Sequence, residues 1–340
     1  MRTAQRDGES WKRMVLRSMP QPAWLGEDAP HVDVVLSSRT RLMRNLKGHR
    51  FPNRADTPEL QEVMRKILRA AREGDLALEA YKGLTNAERD YLVGCRLVSP
   101  DFEWTLPGRA LLIDERRSVS LMINEEDHLR LQALSAGWSI PTSDAIAANC
   151  LDAMEARLSF AWSEKNGYLS ASPFNSGLGR RQSSMFHLIG LAQARRLPSV
   201  MKALSAQGIV VRGLFGEASR AIGAFVQVSV LGGTREDFVG ACEYLLREER
   251  QARGSIDRAQ LQEKAEQARD FALSSRTISL ADALRVLAWI RWGSFAGLPG
   301  FTGSPRTVDA TLTTLEIRST VVEEDAARER SDSLRATLTP

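Results

Sequence analysis

The stretch Ala110–Arg130, ALLIDERRSVSLMINEEDHLR, decides the fold class. Two short apolar runs, Ala110–Ile113 and Ser118–Ile123, flank the polar Asp114-Glu115-Arg116-Arg117, a pattern that predicts a β-hairpin ending at Asn124. Helices surround it. Upstream, Thr57-Pro58-Glu59 opens a helix with Leu60, Val63, Met64, Ile67, Leu68 and Ala71 on one face, closed at Gly74. A second helix starts at Thr85, where Glu88 completes a capping box. Downstream, Ile146, Cys150, Leu151, Met154 and Leu158 predict a long helix from about Thr142 to Trp162. Tyr168–Gly179, with Pro173, Asn175 and two further glycines, reads as a loop, and Ser183–Ala194 is again apolar. A helix near Ser199–Ser205, a strand at Ile209–Val211, a loop at Gly213–Glu217 and a strand at Ala224–Val230 follow; Thr234 and Asp237 then cap a helix carrying Phe238, Cys242, Leu245 and Leu246. Strands and helices mix without strict alternation. The expected class is α+β, an antiparallel β-sheet flanked by helices.

From Gln251 to Asp270 the chain turns charged and rich in Ala and Gln, and Ser279 with Asp282 caps a helix over Leu284–Trp292. The expected organisation is a flexible N-terminal extension at 1–22, a catalytic domain at 23–254 and a small helical C-terminal domain at 255–340. With 340 residues, 43% apolar and 26% charged, the composition excludes disorder, collagen and a small disulfide scaffold. Cys95, Cys150 and Cys242 are odd in number and widely spaced, as reduced cysteines are, so neither a disulfide framework nor a metal site is expected. No apolar run approaches the roughly 20 residues of a membrane helix, and residues 1–20 lack the apolar core of a targeting segment. A cytoplasmic protein with no membrane partner is expected. The net charge of +4 is the sole support for nucleic-acid binding; acidic residues intersperse the same segments, so no nucleic-acid partner is expected.

Two segments carry chemistry. In Ser37-Ser38-Arg39-Thr40-Arg41-Leu42-Met43-Arg44, Arg39 and Arg41 project from one side if the strand before them continues, forming a phosphate clamp; the spacing alone also fits a solvated basic strand end. In Asn124-Glu125-Glu126-Asp127-His128-Leu129-Arg130, three consecutive carboxylates repel one another unless solvent, a cation or a cationic substrate relieves them. Arg181 follows the glycine loop and Arg212 a strand. His128 and His187 have no metal-ligand partners at suitable spacing and read as structural, and Trp289 and Trp292 read as packing residues.

Together, SSRTRLMRN (37–45), INEEDHLR (123–130), GYLSASPFNSGLGRR (167–181) and RGLFGE (212–217) resemble the ATP:guanido phosphotransferases, the family of creatine and arginine kinases and of the bacterial protein-arginine kinases. The bacterial branch is the nearer likeness, because the second motif continues Leu131-Gln132 and the N-terminal helical domain of the creatine and arginine kinases is missing. The resemblance implies a protein-arginine kinase that moves the γ-phosphoryl group of ATP, with Mg2+ bound through the nucleotide, to arginine side chains. Glu126 would be the acid-base residue and Asp127 a helper touching the guanidinium. The nucleotide would be held by Ser37, Ser38, Arg39, Thr40, Arg41, Arg96, Arg130, Arg181, Gln182, Ser183, Ser184, Met185, Arg212, Gly213, Leu214, Phe215, Gly216 and Glu217. Arg181 aligns better than its neighbour Arg180.

The chain departs from the family where Ser172 stands in place of the loop cysteine and where Arg96 stands in place of a nucleotide-contacting histidine. A degenerate form of the phosphoarginine-binding motif, Ser331-Asp332-Ser333-Leu334-Arg335-Ala336, keeps Asp332 and Arg335 and loses the first arginine; an exposed polar helix fits this stretch equally well. The partners implied by resemblance are protein substrates with exposed arginines, a zinc-binding activator protein, a heat-shock repressor and a Clp-type unfoldase, with the enzyme a homodimer. The competing readings are a kinase for free arginine or another small guanidine, and a catalytically weak adaptor.

Overall fold

The computed structural model describes residues 19, 21–81, 83–214, 221–230, 234–316 and 322–338. Its centre is an eight-stranded sheet built from β1 (Val35–Arg44), β2 (Leu78–Tyr81), β3 (Ala110–Asp114), β4 (Val119–Ile123), β5 (Leu129–Ala136), β8 (Arg180–His187), β9 (Ile209–Gly213) and β10 (Phe225–Val230). The order is β2-β3-β4-β5-β1-β8-β10-β9, and every pairing is antiparallel. The predicted hairpin is β3–β4, turning at Asp114, whose Oδ1 accepts from the amides of Ser118 and Val119 at 2.7 Å. β6 (Trp162–Ser163) and β7 (Gly167–Tyr168) form a separate small ribbon.

Pleating gives the two faces of the sheet different work. Leu42, Leu112, Leu121, Leu131 and Ala133 point to a core shared with helix α1 (Thr57–Glu73) and helix α3 (Ile140–Glu155). Helix α2 (Asn86–Gly94) brings Tyr91 and Leu92 into a second core with Trp24, Phe102, Met122 and Leu134. Asp56, one residue before the expected start, caps α1 by accepting from the Glu59 amide. The boxes at Thr85–Glu88 and Thr234–Asp237 form as expected, and Ser279 accepts from the Asp282 amide. The third helix is shorter than its pattern predicts, because Phe160 bridges to Leu46 and the Ala161 amide donates to Asn45 O at 2.7 Å. The end of β1 claims this backbone before the helix can extend.

The largest core joins strands and C-terminal helices. Phe186, Phe225 and Val226 pack with side chains from α4 (Ile189–Gln193), α5 (Leu197–Ala206), α6 (Arg235–Ser255), α7 (Arg258–Ser274), α8 (Leu280–Phe295) and α10 (Glu323–Ala336). A buried ion pair ties this assembly to the start of β1. Arg291 Nε donates to Asp309 Oδ1 at 2.6 Å, while its Nη1 donates to Asp33 O at 2.7 Å and its Nη2 to Val32 O. Asp309 lies on α9 (Pro305–Leu312). His187 is a core residue, stacked on Phe225 with ring centroids 4.9 Å apart, and Trp289 meets Trp292 edge to face. Among the described residues, no helix is long and apolar enough to cross a membrane.

Candidate active site

β1 continues through both arginines, so Arg39 and Arg41 do share one face of the sheet. Register extends that face across neighbouring strands: Arg41 sits between Gln132 of β5 and Arg181 of β8, Arg39 opposite Ser183, and Gln227 of β10 opposite both Met185 and Arg212. The segment after α2 closes one side. The result is a cavity of about 200 Å3 lined by Arg39, Arg41, Arg96, Arg130 and Arg212, with Met185, Gly213 and Leu214 also in its wall.

The same pleat turns other expected nucleotide residues away. Ser38 Oγ donates to Gly137 O at 2.8 Å and meets Ser184 Oγ at 3.4 Å. Thr40 Oγ1 donates to Asp144 Oδ1, and Gln182 Nε2 to Asp144 Oδ2, each at 2.6 Å. These four side chains therefore fasten β1 and β8 to each other and to α3 and its leading turn. Ser37 and Ser183 stay on the arginine side, taking hydrogen bonds from Arg96 and Arg39 respectively. Arg180 lies on the exposed, opposite side of the pleat, which leaves Arg181 as the arginine of the pair facing the cluster. Phe215, Gly216 and Glu217 lie outside the described residues.

The electrostatics of the cluster are those of an anion site. Burial, and after it the charges of Arg41, Arg96, Arg130 and Arg181, pushes the pKa of Arg39 well below its ordinary value. Arg41 is displaced the same way, by burial first and then by Arg130, Arg181, Arg96 and Arg212. Burial brings Arg96 down to about 10. Neutral groups do much of the holding: Gln227 Oε1 accepts from Arg39 Nη2 at 2.9 Å and from Arg96 Nη2 at 3.1 Å. Arg41 Nε is buried without a hydrogen-bond partner among the described residues. A buried donor left idle among repelling cations fits a polyphosphate, whose oxygens supply both acceptors and compensating charge.

The three carboxylates occupy the turn between β4 and β5 and have three different environments. Glu125 binds Arg130 Nη1 at 2.7 Å; burial alone would raise its pKa, but the Arg130 charge and hydrogen bond outweigh this and hold it low. Glu126 is the exposed one of the three, and its pKa is raised, first by partial desolvation of its carboxylate and then by the charges of Asp127 and Glu125. Glu125, its neighbour in the turn, holds the cavity-lining Arg130 at 2.7 Å, which puts Glu126 at the edge of the arginine cluster, and the charges of Arg130 and Arg181 oppose the rise in its pKa. Asp127 is 1% exposed. Its Oδ1 accepts from Asn45 Nδ2 at 2.6 Å and from the Ala171 amide at 2.8 Å, and Ser170 Oγ lies 2.7 Å from its Oδ2. Asp127 thus anchors the loop after β7, and its contacts are those of a positioning group. His128 is structural as expected: Nδ1 accepts from the Leu46 amide at 3.0 Å, Nε2 bonds Arg50 O at 2.9 Å, and burial lowers its pKa to about 4.

That loop returns to the site. Asn175 Nδ2 donates to Glu126 Oε2 at 3.4 Å. At its far end Arg44, with its guanidinium 3.5 Å above the Tyr168 ring, donates to Gly179 O at 3.0 Å. Ser172 lies within this loop, half-buried, and its amide faces Ser170 Oγ at 3.4 Å. Asp332 and Arg335 lie apart from these elements on α10, where they pair with each other; Arg335 Nη1 and Ser331 Oγ both donate to Ser275 O just past α7.

Sequence reasoning missed Gln227, Gln132 and Ser99, which line the cavity, and Trp24 beside them. Gln227 was findable, because Phe225-Val-Gln-Val-Ser-Val230 places Gln227 and Ser229 on one face of an apolar strand. Ser99, which accepts from Arg130 Nη1 at 2.8 Å, lies in an irregular segment with no such signal.

The sheet therefore carries an enclosed cluster of arginines, an anion site, with an exposed carboxylate at its edge. Residues 59–244 match the profile of the ATP:guanido phosphotransferase C-terminal catalytic domain, and the chain belongs to that family. It is 35% identical to the protein-arginine kinase of Symbiobacterium thermophilum, over 85% of this chain and 86% of that protein. It is 37% identical to the protein-arginine kinase of Halothermothrix orenii, over 81% and 82% of the two chains. Among solved structures, lombricine kinase matches with a TM-score of 0.57 at 22% identity, covering 70% of this chain and 73% of its own, a likeness of fold.

Proposed function

We propose that this chain is a protein-arginine kinase, transferring the γ-phosphoryl group of MgATP to arginine side chains of proteins. The observation that carries the reading is the juxtaposition of an arginine cluster holding an idle buried donor with Glu126, an exposed carboxylate of raised pKa. Phosphoryl transfer is a matter of positioning and charge neutralisation, and the guanidinium forks of Arg39, Arg41, Arg96, Arg130, Arg181 and Arg212 suit nucleotide oxygens. Mg2+ would arrive with the nucleotide and neutralise its phosphates.

The acceptor guanidinium stays protonated at neutral pH and must give up a proton for a nitrogen lone pair to attack. Glu126 takes that proton as the N–P bond forms and the bond to the β-phosphate oxygen breaks, and the arginines stabilise the departing ADP. Glu125 positions Arg130, and Asp127 positions the loop that carries Asn175. In the same reading the enzyme works in the cytoplasm as a homodimer on proteins with exposed arginines, alongside an activator, a repressor and a Clp-type unfoldase that receives marked proteins. The decisive experiment supplies γ-labelled MgATP and an arginine-rich protein to the wild type and to Glu126→Gln. Acid-labile label lost in the variant, with nucleotide binding retained, is the expected result; saturable nucleotide binding with no transfer by the wild type overturns the reading in favour of an adaptor.

A further inference from the structure

Among the described residues, three of the four most exposed large apolar side chains are Leu178 at 71%, Phe174 at 69% and Trp162 at 58%. All three belong to one continuous stretch, the ribbon and loop from β6 to β8. Trp162 pairs with Tyr168 across the ribbon, and Gly177 bridges to Gly167 and Tyr168, so the ribbon and the loop tip form one unit. Phe174 sits in a single turn of 3-10 helix, Pro173–Asn175, whose last residue contacts Glu126. Arg44 holds the carbonyl of Gly179, and Asp127 the amide of Ala171, at the two ends of the loop. An exposed apolar group on a loop pinned at both ends beside the catalytic carboxylate is costly in water and marks a contact surface.

We infer that Phe174, Leu178 and Trp162 form a docking surface for the apolar residues that flank the acceptor arginine in a protein substrate. Charge complementarity selects the occupant: a cation belongs at exposed Glu126, and what lies next to that cation along its chain meets Phe174 and Leu178. The inference rests on the reading of this chain as a kinase for arginine in proteins, and it adds a sequence context to the substrate.

The test compares two short peptides, one with leucine on both sides of its single arginine and one with serine in those places. They are assayed with the wild type, with Phe174→Ser/Leu178→Ser and, independently, with Trp162→Ser. The wild type should favour the leucine peptide by about tenfold in kcat/KM, as burial of one or two apolar side chains implies. The double variant should lose most of that preference through KM, with kcat/KM for the serine peptide changed less than about twofold. An unchanged preference, or an equal loss on both peptides, overturns the docking surface. A change in the sedimenting mass of the variants with the preference intact overturns it in favour of a contact between two copies of the chain. Absence of label on both peptides with the wild type overturns the kinase reading itself.

Discussion

Replacing Asp127 separates an anchoring carboxylate from one that touches the substrate. In Asp127→Ala, Asn45 Nδ2 and the Ala171 amide lose an ionised acceptor at 2.6 and 2.8 Å, while the Ser170 hydroxyl can turn elsewhere. Two hydrogen bonds to a buried charge, at about 1.5–3 kcal/mol each, set a cost of roughly 3–6 kcal/mol, with the low end reached if water fills the space. Asp127→Asn keeps an acceptor for those donors and offers its amide to Ser170 Oγ, so its cost falls to about 1–2 kcal/mol. The loop bearing Asn175 should lose hydrogen-exchange protection at Ala171 in the alanine variant and keep it in the asparagine variant. Turnover should fall roughly a hundredfold in the former and less than tenfold in the latter, with ADP affinity preserved in both. The asparagine variant has a further signature. The Asp127 charge is the second cause, after partial desolvation, of the raised pKa of Glu126, so its removal makes Glu126 a weaker base. Glu126 must be ionised to accept a proton, activity rises with pH through its pKa, and the acidic limb of the pH profile should move to lower pH. Equal loss of turnover in both variants, with Ala171 still protected, would refute the anchoring role and return Asp127 to direct contact with the guanidinium.

Two further predictions concern arginines with opposite surroundings. Arg41 is half-buried among cations with its Nε closed off from water, so Arg41→Gln should raise the unfolding midpoint of the nucleotide-free protein while weakening MgATP binding roughly 10- to 100-fold, the loss of charged hydrogen bonds worth about 1.5–3 kcal/mol; a lowered midpoint with unaltered affinity in calorimetric titration would contradict the anion-site assignment. Arg291→Ala instead strands Asp309 and the carbonyls of Val32 and Asp33, and should cost about 3–5 kcal/mol in denaturant unfolding, with Arg291→Met/Asp309→Leu recovering part of it; a variant within about 1 kcal/mol of wild type would show that the buried pair does not secure α8 and α9 to β1.

What the sequence disclosed of this site follows from distance along the chain. Residues two apart on a strand share a face whatever surrounds them, so Arg39 with Arg41 could be read from spacing, and so could the hairpin that delivers Glu125–Asp127. The same period carries a caution that motif matching does not. A contiguous string such as Arg181–Met185 necessarily alternates, and the structure spends Gln182 and Ser184 on the buried side, where Asp144 and Ser38 hold them. Spacing could not supply contacts made across strands far apart in sequence. Gln227 reaches Arg39 and Arg96 over separations of 188 and 131 residues, and its acceptor oxygen spans two guanidiniums only because β10 packs beside β8 in this register. Arg96 reaches the cavity from a left-handed backbone position at φ 63°, immediately after the C-cap of α2, a geometry that side-chain patterning does not encode. Asp127 is the clearest instance: its identity suggests chemistry equal to that of its neighbours, yet three consecutive carboxylates divide into an arginine partner, an exposed group of raised pKa and a loop anchor. The division follows from burial, since the one closed off from water must find its donors within the protein, and the one left exposed at the cluster's edge is free to exchange a proton.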